Sequence, residues 1–458
     1  MNQGSEILEK YGVVRDFDSL LVGKFEDRKI LRLHNELYSA VIAGQKKEYA
    51  EADNNPPEID PFSFLASRAL RAGLCGAFEC RMEKLDLLGR YAALYANRVI
   101  LPLHLSDPAK FDDPKRAAGE VAEASLAFLR LRPLIDAGLI VPVVMVSFHC
   151  VHTQEWCSRM TDIVHKVADE AAKDMQGDYC VEYQTPDRSP SGRSTIYIEG
   201  PDDFLEHGSM VQLFDEGKKW RQKSWKFDRE GKVEIRGERK VEALRYILNG
   251  IANDTTFYLA YGRQRNTRYL TNLPSEAFLL DLLTGDDEVA ASSQALNAYL
   301  SHSVPLVGEL SIARLLKLRR EERDSFTRYR LAIQRILAEV SEKKKRIGKK
   351  EVKELFRDRI EPELTKMKSE LYQEGRRQVR RITGGIATIA ATIAFGAFGG
   401  IVPVATKLAV TAAGAMVGGR LLTRAAEAQC EHGATVKEKN DFYFLLRLSQ
   451  DAENQPGQ

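Results

Sequence analysis

The sequence predicts an α+β, mostly helical chain. An N-terminal α/β body with a small βαβ-containing sheet is followed by a C-terminal long-helix stalk and a Gly/Ala-rich helical hairpin. Three observations carry this. Apolar runs at Val99–Leu105 (VILPLHL) and Leu139–Phe148 (LIVPVVMVSF) flank a helical stretch, Arg116–Asp136. Apolar residues recur at helical spacing from Ser311 onward. A run of 25 residues without a charge begins at Ile382.

At 458 residues, 44% hydrophobic and 29% charged, the chain can bury a sizeable core and is not of disordered type. At roughly 150 residues per domain it accommodates two to four domains. The divisions expected are 1–300 (acidic α/β body), 301–381 (basic amphipathic arm), 382–428 (hairpin) and 429–458 (short helix and disordered tail). Six cysteines exclude a disulfide scaffold. The start, MNQGSEILEKYG, has no basic segment followed by an apolar run, so no signal peptide is expected.

In the body, strand, helix and strand within one short stretch predict a βαβ unit with parallel strands. Gly138 ends the helix. A further helix is expected at Gln154–Met175, short strands at Tyr179–Tyr183 and Thr195–Ile198, a charged and turn-rich segment at Trp220–Val233, and helices at Val241–Tyr261 and Ser275–Leu283. Ligands of open parallel sheets bind beyond the strand C-terminal ends. Those ends present His104 and the segment His149-Cys150-Val151-His152, with Cys157 close behind. A Cys150 nucleophile with His149 or His152 as base is the catalytic candidate. The spacing HCxHxxxxC matches no zinc signature, and neither GxGxxG after a strand nor GxxxxGK[ST] occurs. Structural roles are expected for these residues. No metal or cofactor is expected, and a non-enzymatic role is favoured.

The charge is unevenly spread. Arg314–Arg381 holds 23 Lys+Arg and 12 Asp+Glu, a balance of +11, and the remainder of the C-terminal part is neutral. Since the whole chain carries +2, residues 1–313 carry −9. An acidic body thus precedes a basic arm, and basic arms seek phosphate. Within the arm, Ser311–Ile347 is expected to be helical, with Phe326, Ile333, Val340 and Ile347 seven apart. Lys343, Lys344, Lys345 and Arg346 form a dense cationic run. Few aromatic residues interleave with these charges, which disfavours nucleic acid as partner and favours anionic membrane lipid.

Between Ile382 and Gly419 lie 38 residues with one charge, of which 18 are Gly or Ala. As one helix they would extend about 57 Å, too long for a single crossing. Gly399, Gly400 and Pro403 supply a turn, which predicts two helices of about 26 Å each. Gly384, Thr388, Thr392, Gly396 and Gly400 recur every four residues, as do Gly414 and Gly418. Small residues at this spacing let helices approach closely in lipid, so self-association is expected. Arg376, Arg377, Arg380 and Arg381 precede the hairpin and Arg420 and Arg424 follow it. The positive-inside rule then places both ends in the cytoplasm, with insertion into the inner membrane from that side. Burial of the hairpin inside a helical domain, or insertion only after a trigger, is the competing arrangement. At the tail, Phe442, Tyr443 and Phe444 are expected to close a short helix onto the body, with an interfacial aromatic anchor as the alternative.

Two functions follow. The first is a membrane-associated or membrane-inserting effector of bacterial toxin or defence type, an oligomeric pore-former in its fullest form. Its α/β body would sense a protein or small-molecule trigger. The second is a soluble α/β enzyme or nucleic-acid-linked regulator with the hairpin buried.

Overall fold

The computed structural model describes residues 3–13, 26–54, 62–67, 70, 78–110, 113–145, 151–189, 192–201, 204–205, 208–214, 220–265, 267–283, 310–343, 354, 356–360, 362–363, 366, 440–445 and 448. Within them, the side chains of 47–54, 152–153, 281–283, 337–343 and 356 lie outside the description. The described chain is a mixed α/β protein with two four-stranded sheets. It forms two compact units, one of 1–321 and 333–354, the other of 322–332 and 355–458.

In the first unit, strands β1 (Ser63–Ala66), β2 (Arg98–Leu103), β3 (Ile140–Val144) and β8 (Arg268–Leu270) form a parallel sheet in the order β3-β2-β1-β8. Pairing sets Phe64 beside Val99 and Arg268, and Ile100 beside Val141. Consecutive residues Phe64, Leu65, Val99, Ile100 and Leu101 are all buried, as a parallel sheet covered on both faces requires. The expected βαβ unit is therefore present. Its helical part is two helices, α4 (Pro114–Arg130) and α5 (Arg132–Asp136). The break falls at Leu131, because Pro133 cannot continue a preceding helix and instead opens a new first turn. Gly138, at φ +71°, supplies the left-handed residue that turns the chain into β3.

The second sheet is antiparallel, in the order β6-β5-β4-β7, from β4 (Cys180–Gln184), β5 (Thr195–Glu199), β6 (Ser209–Leu213) and β7 (Lys232–Glu234). Two of its strands lie where the sequence predicts strands. The two edges, β6 and β7, and the short strands β1 and β8 carry no such signal.

Two long helices, α6 (Val151–Met175) and α7 (Glu238–Gln264), join the sheets. Met160 and Val164 of α6, with Ala252, Tyr258 and Leu259 of α7, cover Leu65, Ile100 and Val143 of the parallel sheet. The other halves, Ala168, Ala172 and Met175 with Ala243, Leu244 and Ile247, cover Val181, Tyr183, Ile196 and Ile198 of the antiparallel sheet. The remaining helices of this unit are α1 (Gln3–Lys10), α2 (Asp27–Asn54), α3 (Phe78–Tyr95), α8 (Pro274–Leu283) and α9 (Ile312–Glu321). At the β3 edge, the Gln45 Oε1 of α2 accepts a hydrogen bond from the Val144 amide at 3.1 Å and so occupies an open strand donor. Arg319 of α9 donates to the carbonyls of Ala92, Ala93 and Ala96 at 3.2, 3.3 and 2.6 Å, satisfying the exposed end of α3.

The helical arm expected over Ser311–Ile347 is two helices, α9 and α10 (Arg323–Lys343), separated at Glu322. In the second unit, Phe444 packs on Phe326 at 5.0 Å and on Tyr329 at 5.8 Å between ring centroids. Arg330, which interrupts the heptad seam, is buried with its guanidinium over the Phe326 ring at 4.5 Å. Phe442, Phe444, Leu445 and Leu448 are buried, so the tail aromatics close onto the arm helix and are not an exposed anchor. Among the described residues no helix is long and apolar enough to cross a membrane. The expected hairpin, 382–419, lies outside the described residues.

Candidate functional site

The carboxyl edge of the parallel sheet gathers two buried carboxyl groups in contrasting surroundings. The first, Glu120, sits on α4. Asp113 caps that helix, its carboxylate accepting from the amides of Lys115 at 3.0 Å and Arg116 at 3.4 Å. Arg116 and Glu120 are one turn apart and face the loop that leaves β2. Glu120 Oε2 lies 2.9 Å from His34 Nε2 of α2 and accepts from the Ser106 amide at 2.7 Å. Its Oε1 accepts from the Ser106 hydroxyl at 2.7 Å and from Arg116 Nε at 3.1 Å, and His104 Nε2 stands 4.0 Å away. Burial alone would raise this carboxyl. The hydrogen bonds from His34 and Ser106, with His104 nearby, overcome it and hold Glu120 down at about 2. A carboxylate so fully occupied fastens α2, α4 and the β2 loop together. It has little basicity left for proton abstraction.

The second, Glu276, lies in the first turn of α8, where β8 leaves the sheet. Strand order runs from β1 to β2 and β3 on one side and to β8 on the other, so the gap beyond β1 and β8 is the sheet's topological switch point. Ser67 follows β1 and Thr271 follows β8, and the Ser67 amide donates to the Leu270 carbonyl at 2.7 Å. Tyr269 donates its hydroxyl to Glu276 Oε2 at 2.9 Å, the Thr271 hydroxyl bonds to the same oxygen, and the Ser67 side chain also reaches this carboxyl. All three partners are neutral and buried. Burial dominates, neighbouring Asp254 adds to it, and the hydroxyls offset part, so Glu276 is pushed up to about 7. Burial and Glu276 together push the Tyr269 phenol well above its ordinary range. Glu276 thus retains a proton near neutral pH and can donate a hydrogen bond or pass a proton.

Of the residues singled out in the sequence, His104 stands at the Glu120 cluster, half-exposed. His149 and Cys150 lie outside the described residues. His152 is in the first turn of α6, with its side chain outside the description. Cys157 is partly buried in α6, and burial raises its thiol, the opposite of an activated nucleophile. Lys343 ends α10, with its side chain outside the description. Lys344, Lys345, Arg346, Arg376, Arg377, Arg380, Arg381, Arg420 and Arg424 lie outside the described residues, as do Ile382, Gly384, Thr388, Thr392, Gly396, Gly400, Pro403, Gly414 and Gly418. Among the described residues no group of three or more His, Cys, Asp or Glu is arranged to hold a metal ion.

His34, Ser106, Glu120, Ser67, Thr271 and Glu276 are not among the residues that sequence reasoning selects. The cue for Glu276 is present in Thr271-Asn272-Leu273-Pro274-Ser275-Glu276, a helix-opening pattern directly after a short apolar run. Nothing local marks Glu120, whose partner His34 is 86 residues away. Comparison with protein-family models, with characterised proteins and with solved structures finds no match for the chain.

Proposed function

We propose that the protein is a membrane-associating effector, held from the cytoplasmic side by a basic arm and a C-terminal helical hairpin, and controlled by ligand or partner binding to its α/β body. The observation that carries this is the run of 25 uncharged residues, 382–406, placed directly after an arm with a balance of +11. Small residues at four-residue spacing make self-association the route to any pore, since one hairpin cannot enclose water. The body offers the carboxyl edge of its parallel sheet as the sensing site.

Flotation of the full chain with anionic liposomes tests the reading. Protein that remains with lipid after high-salt and carbonate washes supports it, and protein that never floats overturns it. The second reading, a soluble enzyme or nucleic-acid-linked regulator, is favoured by the proton-holding Glu276 at the switch point. It requires full solubility without detergent and no retention on lipid.

A further inference from the structure

We propose that one end of the antiparallel sheet is a second, electrostatic docking surface for anionic lipid, carried by the body itself. It rests on the membrane reading for its setting, and on the following geometry for its substance. Gln184 pairs with Thr195 and with Lys232, and Thr195 pairs with Leu213. The β4–β5 loop and the β6–β7 connection therefore emerge at the same end of the sheet. They touch: the Thr185 amide donates to the Gly231 carbonyl at 3.0 Å, and a Cβ on Gly231 would lie 2.6 Å from Arg188 Cγ.

These two segments place Arg188, Arg193, Arg221, Lys223, Lys226 and Arg229 on the surface, all exposed. Their described residues hold six cations and three carboxylates, a balance of +3 within a stretch, 1–313, that carries −9. Two of the carboxylates are engaged within the turn. Asp228 accepts from the amides of Glu230 at 2.9 Å and Lys232 at 2.8 Å, and Glu230 pairs with Lys232 at 3.3 Å. Among the described residues Lys223, Lys226 and Arg229 make no ion pair. A local concentration of unneutralised cations on an acidic protein attracts a phosphate-bearing surface.

The aromatic rings decide which surface. Two of the chain's three tryptophans, Trp220 and Trp225, lie here with Phe227, all partly buried. Trp225 is packed against Tyr183 at 5.6 Å, Trp220 at 5.3 Å and Phe227 at 6.3 Å. Arg221 covers the Phe227 ring at 4.4 Å, and Arg239 stands over Trp220 at 5.4 Å. Each ring already meets another ring or a guanidinium, which leaves less aromatic surface for stacking of unpaired nucleic-acid bases. What remains is a firm aromatic floor beneath long cationic side chains, the combination found where proteins meet headgroups.

The test uses the full chain in three forms: wild type, a variant with Lys343, Lys344, Lys345 and Arg346 changed to Glu, and that variant with Lys223→Glu, Lys226→Glu and Arg229→Glu added. Circular dichroism first establishes that each is folded. Flotation with phosphatidylserine–phosphatidylcholine vesicles at about 50 mM and about 500 mM salt separates a salt-released fraction from the rest. The arm variant is expected to keep salt-sensitive binding, and the added reversals to weaken that fraction by about tenfold or more. Absence of salt-sensitive binding in the arm variant, or no change on adding the loop reversals, overturns the proposal. So does loss of oligonucleotide binding with vesicle binding intact, which would assign the patch to nucleic acid. The carbonate-resistant fraction reports on the hairpin separately, so failure of the membrane reading is distinguishable from failure of this surface.

Discussion

Glu120 and Glu276 are the same residue type, on the same edge of one sheet, both nearly inaccessible, at 4% and 5%. Yet one is held at about 2 and the other at about 7. Burial raises both, but it weighs more on Glu276, which lies deeper among protein atoms and has Asp254 nearby, whereas at Glu120 the donors overcome it. Glu120 meets an imidazole, a backbone amide, a guanidinium and the Ser106 hydroxyl on its two oxygens. Glu276 meets neutral hydroxyls. Low exposure alone does not fix the charge of a carboxyl; the balance between its desolvation and the donors and charges around it does.

The largest expected effect is at the ionised site. Glu120→Ala should destabilise the protein by about 3 kcal/mol at neutral pH, because His34 and the Ser106 amide lose a charged acceptor inside the fold. The pH dependence has a definite sign. The folded value lies below the free value of 4.5, so the stabilisation is present above pH 4.5 and is lost as pH falls toward about 2. Chemical denaturation at pH 7 and at pH 3 should show the variant approaching wild type under acid. A constant difference at both values would break the comparison.

Glu276 should behave in the opposite sense. Its folded value lies above the free value of 4.5, so stability falls as pH rises from 4.5 through about 7. Glu276→Gln removes the titration while keeping the shape. Between pH 5 and pH 8 wild type should lose about 2.5 kcal/mol relative to the variant, because a tenfold change in proton affinity between the free and folded carboxyl is worth about 1.4 kcal/mol. Parallel denaturation midpoints across that range would show that Glu276 does not titrate there.

What could be read from the sequence follows the range of the forces involved. Runs of apolar residues announce β2, β3 and the buried faces of α6 and α7, since period and composition are local. The three-residue β8 and four-residue β1 have no period to detect, and they exist because neighbours in the sheet complete them. The break in the first crossover helix is written in Pro133, which the apolar pattern of Val121, Leu126, Leu129 and Leu134 outweighs. The Trp220–Val233 segment reads as a charged turn. Its surface character depends on the β4–β5 loop lying beside it, a consequence of strand register that no local pattern carries. The Glu120 site is assembled from α2, the β2 loop and α4, and only the fold brings His34 to it.

The smallest effect sharpens the comparison most, because it reaches Glu120 without touching it. Asp113 starts α4, and its carboxylate satisfies two amides of the first turn. Asp113→Ala should cost about 1 kcal/mol, the ordinary worth of an N-cap. Arg116 lies in that first turn and Glu120 one turn later, so fraying would loosen the Arg116–Glu120 bond and leave the Tyr269–Glu276 bond in another part of the edge unaltered. The acid limb of the stability curve should therefore shift while the limb near pH 7 stays in place. Movement of both limbs together would mean that the two carboxyls respond as one unit, and that the contrast between them is not set by their separate donors.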